Sequence, residues 1–185
     1  MSSLSLPRPG ADEFAPFYHG YIDKVPGQKI GEYLVSQLGE VERLLGRLDD
    51  AAARFRYAPQ KWSVKEVLGH LGDAERIFAY RLLRFARADA TPLPGFDEDA
   101  YVPPAEFDAR PVAELVREFQ AVRSSTIALV EGLPSPAWGR RGQASGKDIS
   151  TRALAYIMVG HVTHHLGVLR ERYRVPSSPD ALAAV

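Results

Sequence analysis

Residues 61–88 read KWSVKEVLGHLGDAERIFAYRLLRFARA. Ser63 and Glu66 have the S-x-x-E spacing of a capping box: the serine hydroxyl accepts a backbone N–H three residues on, and the glutamate reaches back to the serine N–H. Trp62 and Val67 flank it as a hydrophobic staple. The pattern predicts a helix from Val64 to about Ala88. Val67, His70, Ala74, Ile77 and Phe78 recur at steps of three and four, so they share one face. A histidine interrupts that apolar face at position 70.

Three more amphipathic segments follow from the same periodicity. Upstream, Ile30, Leu34, Leu38, Val41, Leu45 and Leu48 form one stripe of a helix over 28–52, weakened locally by Gly31, Gly39 and Gly46. Downstream, Val112, Leu115, Val116, Phe119, Val122, Ile127 and Val130 mark a helix from Pro111 to about Gly132, with Ser124–Ser125–Thr126 as a polar break. The last helix is capped by Ser150 or Thr151 and continues to about Arg174. Its inward stripe is Leu154, Ile157, Met158, His161, Val162, His165, Val168 and Leu169, and Val175–Pro176 ends it because proline disfavours helix at the preceding residue. There is no internal repeat and no run of alternating strand residues. Four long amphipathic helices predict an all-α four-helix bundle.

The connections set the domain boundaries. Residues 1–27 form a proline-containing arm whose aromatics, Phe14, Phe17, Tyr18 and Tyr21, predict that its second half packs on the body while the first ten residues are loose. Residues 28–175 are the bundle, and 176–185 a C-terminal tail. The stretch 89–109, with TPLPGFDEDAYVPPAEFD, exceeds the ~2–8 residues usual between bundle helices. It is expected to cross the end of the bundle or to cover a site. A second loop, LPSPAWGRRGQASGKDI, precedes the last helix.

Composition narrows the function classes. The 185 residues are 45% apolar and 25% charged, which suits one domain with a sizeable core. Lys+Arg and Asp+Glu are equal, so the net charge is zero; that argues against nucleic acid or a membrane surface as partner. Cysteine is absent, which removes disulfides, cysteine-based zinc sites and a cysteine nucleophile. Any metal is held by His, Asp or Glu, and any reacting thiol arrives with a ligand. No apolar run approaches the ~20 residues that span a bilayer. The opening MSSLSLPRPGADEF lacks a basic region followed by an apolar stretch, so no signal peptide is expected and the location expected is cytoplasmic.

The chain has five histidines, and three fall in GHVTHHLGVL, residues 160–169. A histidine facing a bundle core costs free energy unless its ring nitrogens find partners. His161 and His165 stand four apart, on one helix face, with Cβ atoms ~5–6 Å apart. His164 is rotated about 60° from their line; it is a ligand, a group supporting a ligand, or a surface residue. A lone H-x-x-x-H recurs by chance, and a single inward histidine is commonly bonded to a carbonyl. Two on one helix with His70 on another call for a common explanation, and a bundle core is where facing helices converge on a metal. Three imidazoles suit zinc, nickel, copper or iron(II), whereas magnesium and calcium prefer oxygen. Three protein ligands leave at least one coordination position open, as in catalytic sites. Asp73, one turn past His70, is read as an acceptor supporting a ligand, as a general base, or as a solvated edge residue. His19, among the arm's aromatics, is assigned to packing or surface.

Other motifs explain themselves more simply. Arg76, Arg84 and Arg87 fit the solvated side of an amphipathic helix. Arg140–Arg141 reads as a polar loop, GQASGK lacks P-loop spacing, and Ser63 is accounted for as a cap.

The stretches KWSVKEVLGHLGDAERIFAYRLLRFARAD, TPLPGFDEDAYV and ALAYIMVGHVTHHLGVLRERY together resemble the DinB-like superfamily of metalloenzymes, which is unrelated to the translesion polymerase sharing that name. The resemblance spans about residues 14–174 and centres on W-S-x-x-E-x-x-x-H and H-x-x-x-H. It implies a four-helix bundle, usually a homodimer, with a three-histidine metal site; carried over by motif, the ligands are His70, His161 and His165. Some relatives use the metal to activate a low-molecular-weight thiol, and others are described as metal-dependent hydrolases. The expected activity is therefore a metal-dependent S-transferase acting on a small molecule. The alternatives are a metal-dependent hydrolase, with Asp73 or His164 as acid or base, and a non-catalytic stress-response protein binding metal or ligand.

Overall fold

The computed structural model describes residues 4–175. The tail assigned to 176–185 lies outside the described residues. The elements are α1 (His19–Ile22), α2 (Ile30–Leu45), α3 (Val64–Ala86), α4 (Glu98–Ala105), α5 (Val112–Glu131), β1 (Arg141–Ala144), β2 (Lys147–Ser150) and α6 (Thr151–Glu171), with short 3-10 turns between them.

The four long helices, α2, α3, α5 and α6, are those the periodicity predicts, and their ends have local causes. Ser63 Oγ accepts the Glu66 N–H at 3.0 Å, and the Glu66 carboxylate accepts the Ser63 N–H at 2.7 Å. Ser150 caps α6, its Oγ accepting the Ala153 N–H at 2.9 Å. Helix α2 is shorter than the predicted 28–52, because Gly46 caps it and Asp49 Oδ1 takes the Ala52 N–H at 2.8 Å, a local bond that competes with helix. The polar triplet in α5 does not interrupt it. Ser124 and Thr126 bond back to the carbonyls of Gln120 and Val122 at 2.7 and 3.3 Å, so their hydroxyls are satisfied within the helix.

Helix α2 packs on α5 and α6, and α3 packs on the same two. The order around the bundle is therefore α2, α5, α3, α6, with α2 and α3 on one diagonal. Segments 46–63 and 132–150 are long enough to carry the chain across the bundle end, which two short turns would not do.

Two expectations need correction. Residues 141–150 are not a plain loop but a hairpin in which Arg141 pairs with Ser150 and Ala144 with Lys147. Ser145 and Gly146 both have positive φ (53° and 71°), as a two-residue turn matching strand twist requires. With only Ala144, Ile149 and Ser150 buried, the strands carry almost no hydrophobic alternation to read. The first ten residues are not loose either, as far as they are described. Leu6 is buried, its N–H donates to Gln28 O at 2.9 Å and its carbonyl accepts the Tyr156 hydroxyl at 2.7 Å. The Arg8 guanidinium donates to the carbonyls of Ile22 and Val25 at 2.8 and 2.7 Å, tying the start of the arm to its own second half.

The apolar core is split in two. One cluster holds Leu34, Phe78, Leu82 and residues 153–159; the other holds Val41, Leu45, Leu68, Leu71, Phe119, Val162 and Leu166. Between them every long helix contributes a buried polar side chain: Gln37 from α2, His70 and Glu75 from α3, Arg123 from α5 and His161 from α6. A polar layer of this kind costs desolvation, so it persists only where its members satisfy one another or serve a ligand.

Candidate metal centre

The inward faces of α3 and α6 bring His70, His161 and His165 together. One nitrogen from each lies within 4.8 Å of the other two. His70 Nε2 and His161 Nε2 are 3.0 Å apart, and among the described residues neither ring has another side-chain or backbone hydrogen-bond partner. Two nitrogens bound ~2.0–2.1 Å from one metal, at angles between right and tetrahedral, stand ~2.9–3.4 Å apart. The pair thus has the spacing of shared ligands, and ring centroids 4.6–5.0 Å apart complete the trio.

Aromatic side chains enclose these rings. The Trp62 ring packs at a tilt against His70 at 4.8 Å, Phe78 meets His161 edge-on at 5.6 Å, and Tyr21 from the arm meets His161 edge-on at 5.3 Å. Burial pushes the His70 imidazole down to about 4. Burial, then the neighbouring imidazoles, pushes His165 down to about 3 and holds His161 well below the ordinary histidine range. All three rings are neutral at pH 7, which leaves a lone pair on each for a metal.

A family model for the DinB superfamily matches residues 33–169. The chain belongs to the DinB superfamily. Among solved structures it is similar to YfiT from Bacillus subtilis, described as "a probable metal-dependent hydrolase with an unusual four-helix bundle topology". The TM-score is 0.66 at 16% identity, covering 90% of this chain and 91% of that one, a likeness of fold. No curated protein matches the sequence.

Two clefts border the trio of this DinB-superfamily chain. The larger, about 430 Å³, reaches His165 past His164, Tyr57, Trp62, Asp99 and Tyr173. The smaller, about 300 Å³, reaches His70 and His161 past Tyr18, Tyr21, Phe78, Arg81 and Glu98. The 89–109 connection supplies α4, whose adjacent residues Glu98 and Asp99 line different clefts. His164 stays outside the trio, half-buried, with its ring 5.0 Å from His165 and 5.5 Å from Tyr21. Asp73 turns away from it. Its carboxylate meets Arg76 Nη1 at 3.3 Å, in a separate depression with Tyr101 and Pro104. Its position about 60° off the His70 line on the helix is enough to carry it there. His19 is exposed and packs edge-on against Phe14. Sequence reasoning missed Tyr18, Arg81, Glu98 and Ser145, because they come from four separate segments. Arg81 alone left a signal: it continues the face of His70, Ala74 and Phe78, unlike the solvated arginines of the same helix.

Two expected results follow from this geometry. A Cβ at residue 160 would lie 2.0 Å from the Tyr21 carbonyl oxygen, so only glycine lets the arm close over α6 beside His161. Gly160→Ala is expected to lose about 1–3 kcal/mol and to expose the smaller cleft. Thermal unfolding and faster hydrogen exchange of residues 14–25 check this. Stability of the metal-free protein should also fall as pH drops from about 6.5 toward 4. In that window the unfolded chain binds protons that the buried His70 refuses until about 4, a slope of up to ~1.4 kcal/mol per pH unit per ring. Urea unfolding at about pH 7, 6 and 5 reads it; an unchanged midpoint would contradict the burial.

Proposed function

We propose that this DinB-superfamily protein is a metal-dependent enzyme in which His70, His161 and His165 hold one divalent transition metal, with zinc or nickel the leading candidates and iron or copper following. The reading rests on one observation: three neutral imidazole nitrogens from two helices lie within 4.8 Å of one another in an aromatic-walled pocket. An all-nitrogen donor set suits those metals and not magnesium or calcium. When bound, the metal would supply a Lewis-acid centre that lowers the pKa of a coordinated thiol or water.

The reaction proposed is S-transfer from a low-molecular-weight thiol to an organic electrophile. Two clefts reaching the trio from different sides give thiol and electrophile separate entries. The chain has no cysteine to compete for the electrophile. Trp62 packs against the His70 ring, Phe78 and Tyr21 pack against the His161 ring, and α4 walls both clefts. Metal-dependent hydrolysis is the second reading. It is favoured by Glu98, Asp99 and His164, each of which lines a cleft and could hold or release a proton.

The test uses tag-free protein loaded with zinc or nickel and assayed with an aryl halide, with and without cysteine or glutathione, and with a nitrophenyl ester. Thiol-dependent turnover that His161→Ala abolishes supports transfer. Thiol-independent ester turnover lost in the same variant supports hydrolysis. Full metal loading with neither activity favours a non-catalytic binding protein.

A further inference from the structure

Five charged side chains are buried outright among the described residues: Glu13, Lys65, Glu75, Arg81 and Arg123. Four have an opposite charge in contact. Glu13 pairs with Arg152, Lys65 with Asp50 at 2.9 Å, and Glu75 with Arg123 at 2.8 Å. Arg81 is the exception. It is 3% exposed, yet its Nη2 donates to the Pro94 carbonyl (2.9 Å) and to Ser145 Oγ (3.1 Å), and its other polar neighbour is the Tyr18 hydroxyl, all three neutral. No carboxylate of the described residues lies within ion-pair distance. A guanidinium keeps its charge at any accessible pH, and a buried cation without a counter-ion is costly. Bonds to two neutral acceptors fix its position without cancelling its charge.

The guanidinium faces the smaller cleft, the one that ends at His70 and His161. Arg81 is on the same face of α3 as His70, eleven residues on, or ~16 Å along the axis. Between them the cleft walls are Phe78, Tyr18, Tyr21 and Phe96; the Phe96 ring lies 5.8 Å from the guanidinium carbon. Ser145, which helps to hold Arg81, sits at the turn of the hairpin, and that turn is anchored by Ser145 N–H to Leu93 O at 3.1 Å. Among the described residues the only acid lining the cleft is Glu98, which is exposed on α4.

We propose that the smaller cleft binds an elongated organic carboxylate: its anionic end on Arg81, its apolar middle against the aromatic walls, and its reacting end at the histidines. The proposal deepens the enzymatic reading above by naming its substrate class. Arg81 is a specificity-determining residue within it, since a planar guanidinium offers a carboxylate paired donors that a neutral isostere does not use.

The test compares phenylbutyrate with phenylbutyramide, the same shape without the charge, by calorimetric titration of full-length protein, zinc-loaded and zinc-stripped. Wild type is expected to prefer the acid at least tenfold in both forms. Arg81→Met should abolish the preference while zinc content and unfolding temperature stay at or above wild type, because an uncompensated buried charge is removed. Arg81→Lys should keep part of it. Glu98→Gln should tighten acid binding by removing a like charge. Equal affinity for acid and amide overturns the proposal. So does a preference that survives in Arg81→Met, which would place the carboxylate on the metal, or one lost in Glu98→Gln. Because the stripped protein is measured as well, failure of the metal reading leaves the Arg81 result interpretable.

Discussion

Tag-free protein grown with added zinc or nickel is expected to carry one metal per chain, and His161→Ala to carry less than a tenth of that. His161 is the most enclosed of the three rings, 4% exposed and in contact with Tyr21, Phe78, His70 and His165. Its loss leaves two imidazoles, which cannot compete with water for a transition metal as three can. Removing even a group that only supports a ligand costs about 10–100-fold in affinity, so removing the ligand should cost more. Two control variants separate ligation from general damage. His164→Ala and Asp73→Asn should retain metal, because His164 stands beside the trio and Asp73 pairs with Arg76 elsewhere. Chelation should lower the unfolding temperature of wild type and leave His161→Ala unmoved. A metal at a thousandfold over its Kd adds about 4 kcal/mol, or roughly 8–16 °C for a chain of this size. Equal metal content in wild type and His161→Ala, measured by atomic emission, would sink the site.

The bundle and its histidines were legible in the sequence for a simple reason. Period-3.6 stripes and the Ser63–Glu66 box are local signals, and a histidine on an apolar stripe violates its own surroundings. What lay hidden depends on which segments meet. Nothing near Glu98 says that it shares a cleft with Tyr18, and Ser145 reaches Arg81 only through a hairpin whose strands lack hydrophobic alternation. Asp73 shows the opposite failure. Sequence proximity to His70 suggested a shared role, but a 60° displacement on the helix with Arg76 one turn away carries the carboxylate to another surface. Arg123 stands four residues past Phe119 and seven before Val130, on the inward stripe of α5, so it left the same local signal as Arg81; its partner Glu75 on another helix did not.

Breaking that buried pair is expected to give the largest loss of stability outside the candidate metal site. Arg123 and Glu75 touch twice, Nη2 to Oε2 at 2.9 Å and Nε to Oε1 at 2.8 Å, the second contact in charge range but not aligned as a hydrogen bond. Arg123 Nη1 donates to Gln37 Oε1 at 2.6 Å, and Gln37 Nε2 donates to the Val159 carbonyl at 2.9 Å and to Thr163 Oγ1 at 3.1 Å. One network therefore links α3, α5, α2 and α6, and it grips α6 two residues either side of His161. Glu75→Ala strands a buried guanidinium and should cost about 3–5 kcal/mol, lowering the unfolding temperature by roughly 6–20 °C. Replacing both partners, Glu75→Leu with Arg123→Met, removes both desolvation penalties and should recover most of that loss. Metal affinity separates the two roles the network can have. If it only holds the bundle together, the double variant regains zinc binding along with stability. If it also fixes the axial position of α6, the double variant folds well but binds zinc about tenfold more weakly, because His161 and His165 lose the Gln37 anchor that aligns them with His70. The second outcome is expected, since Gln37 without Arg123 has lost the partner that orients its amide toward Val159.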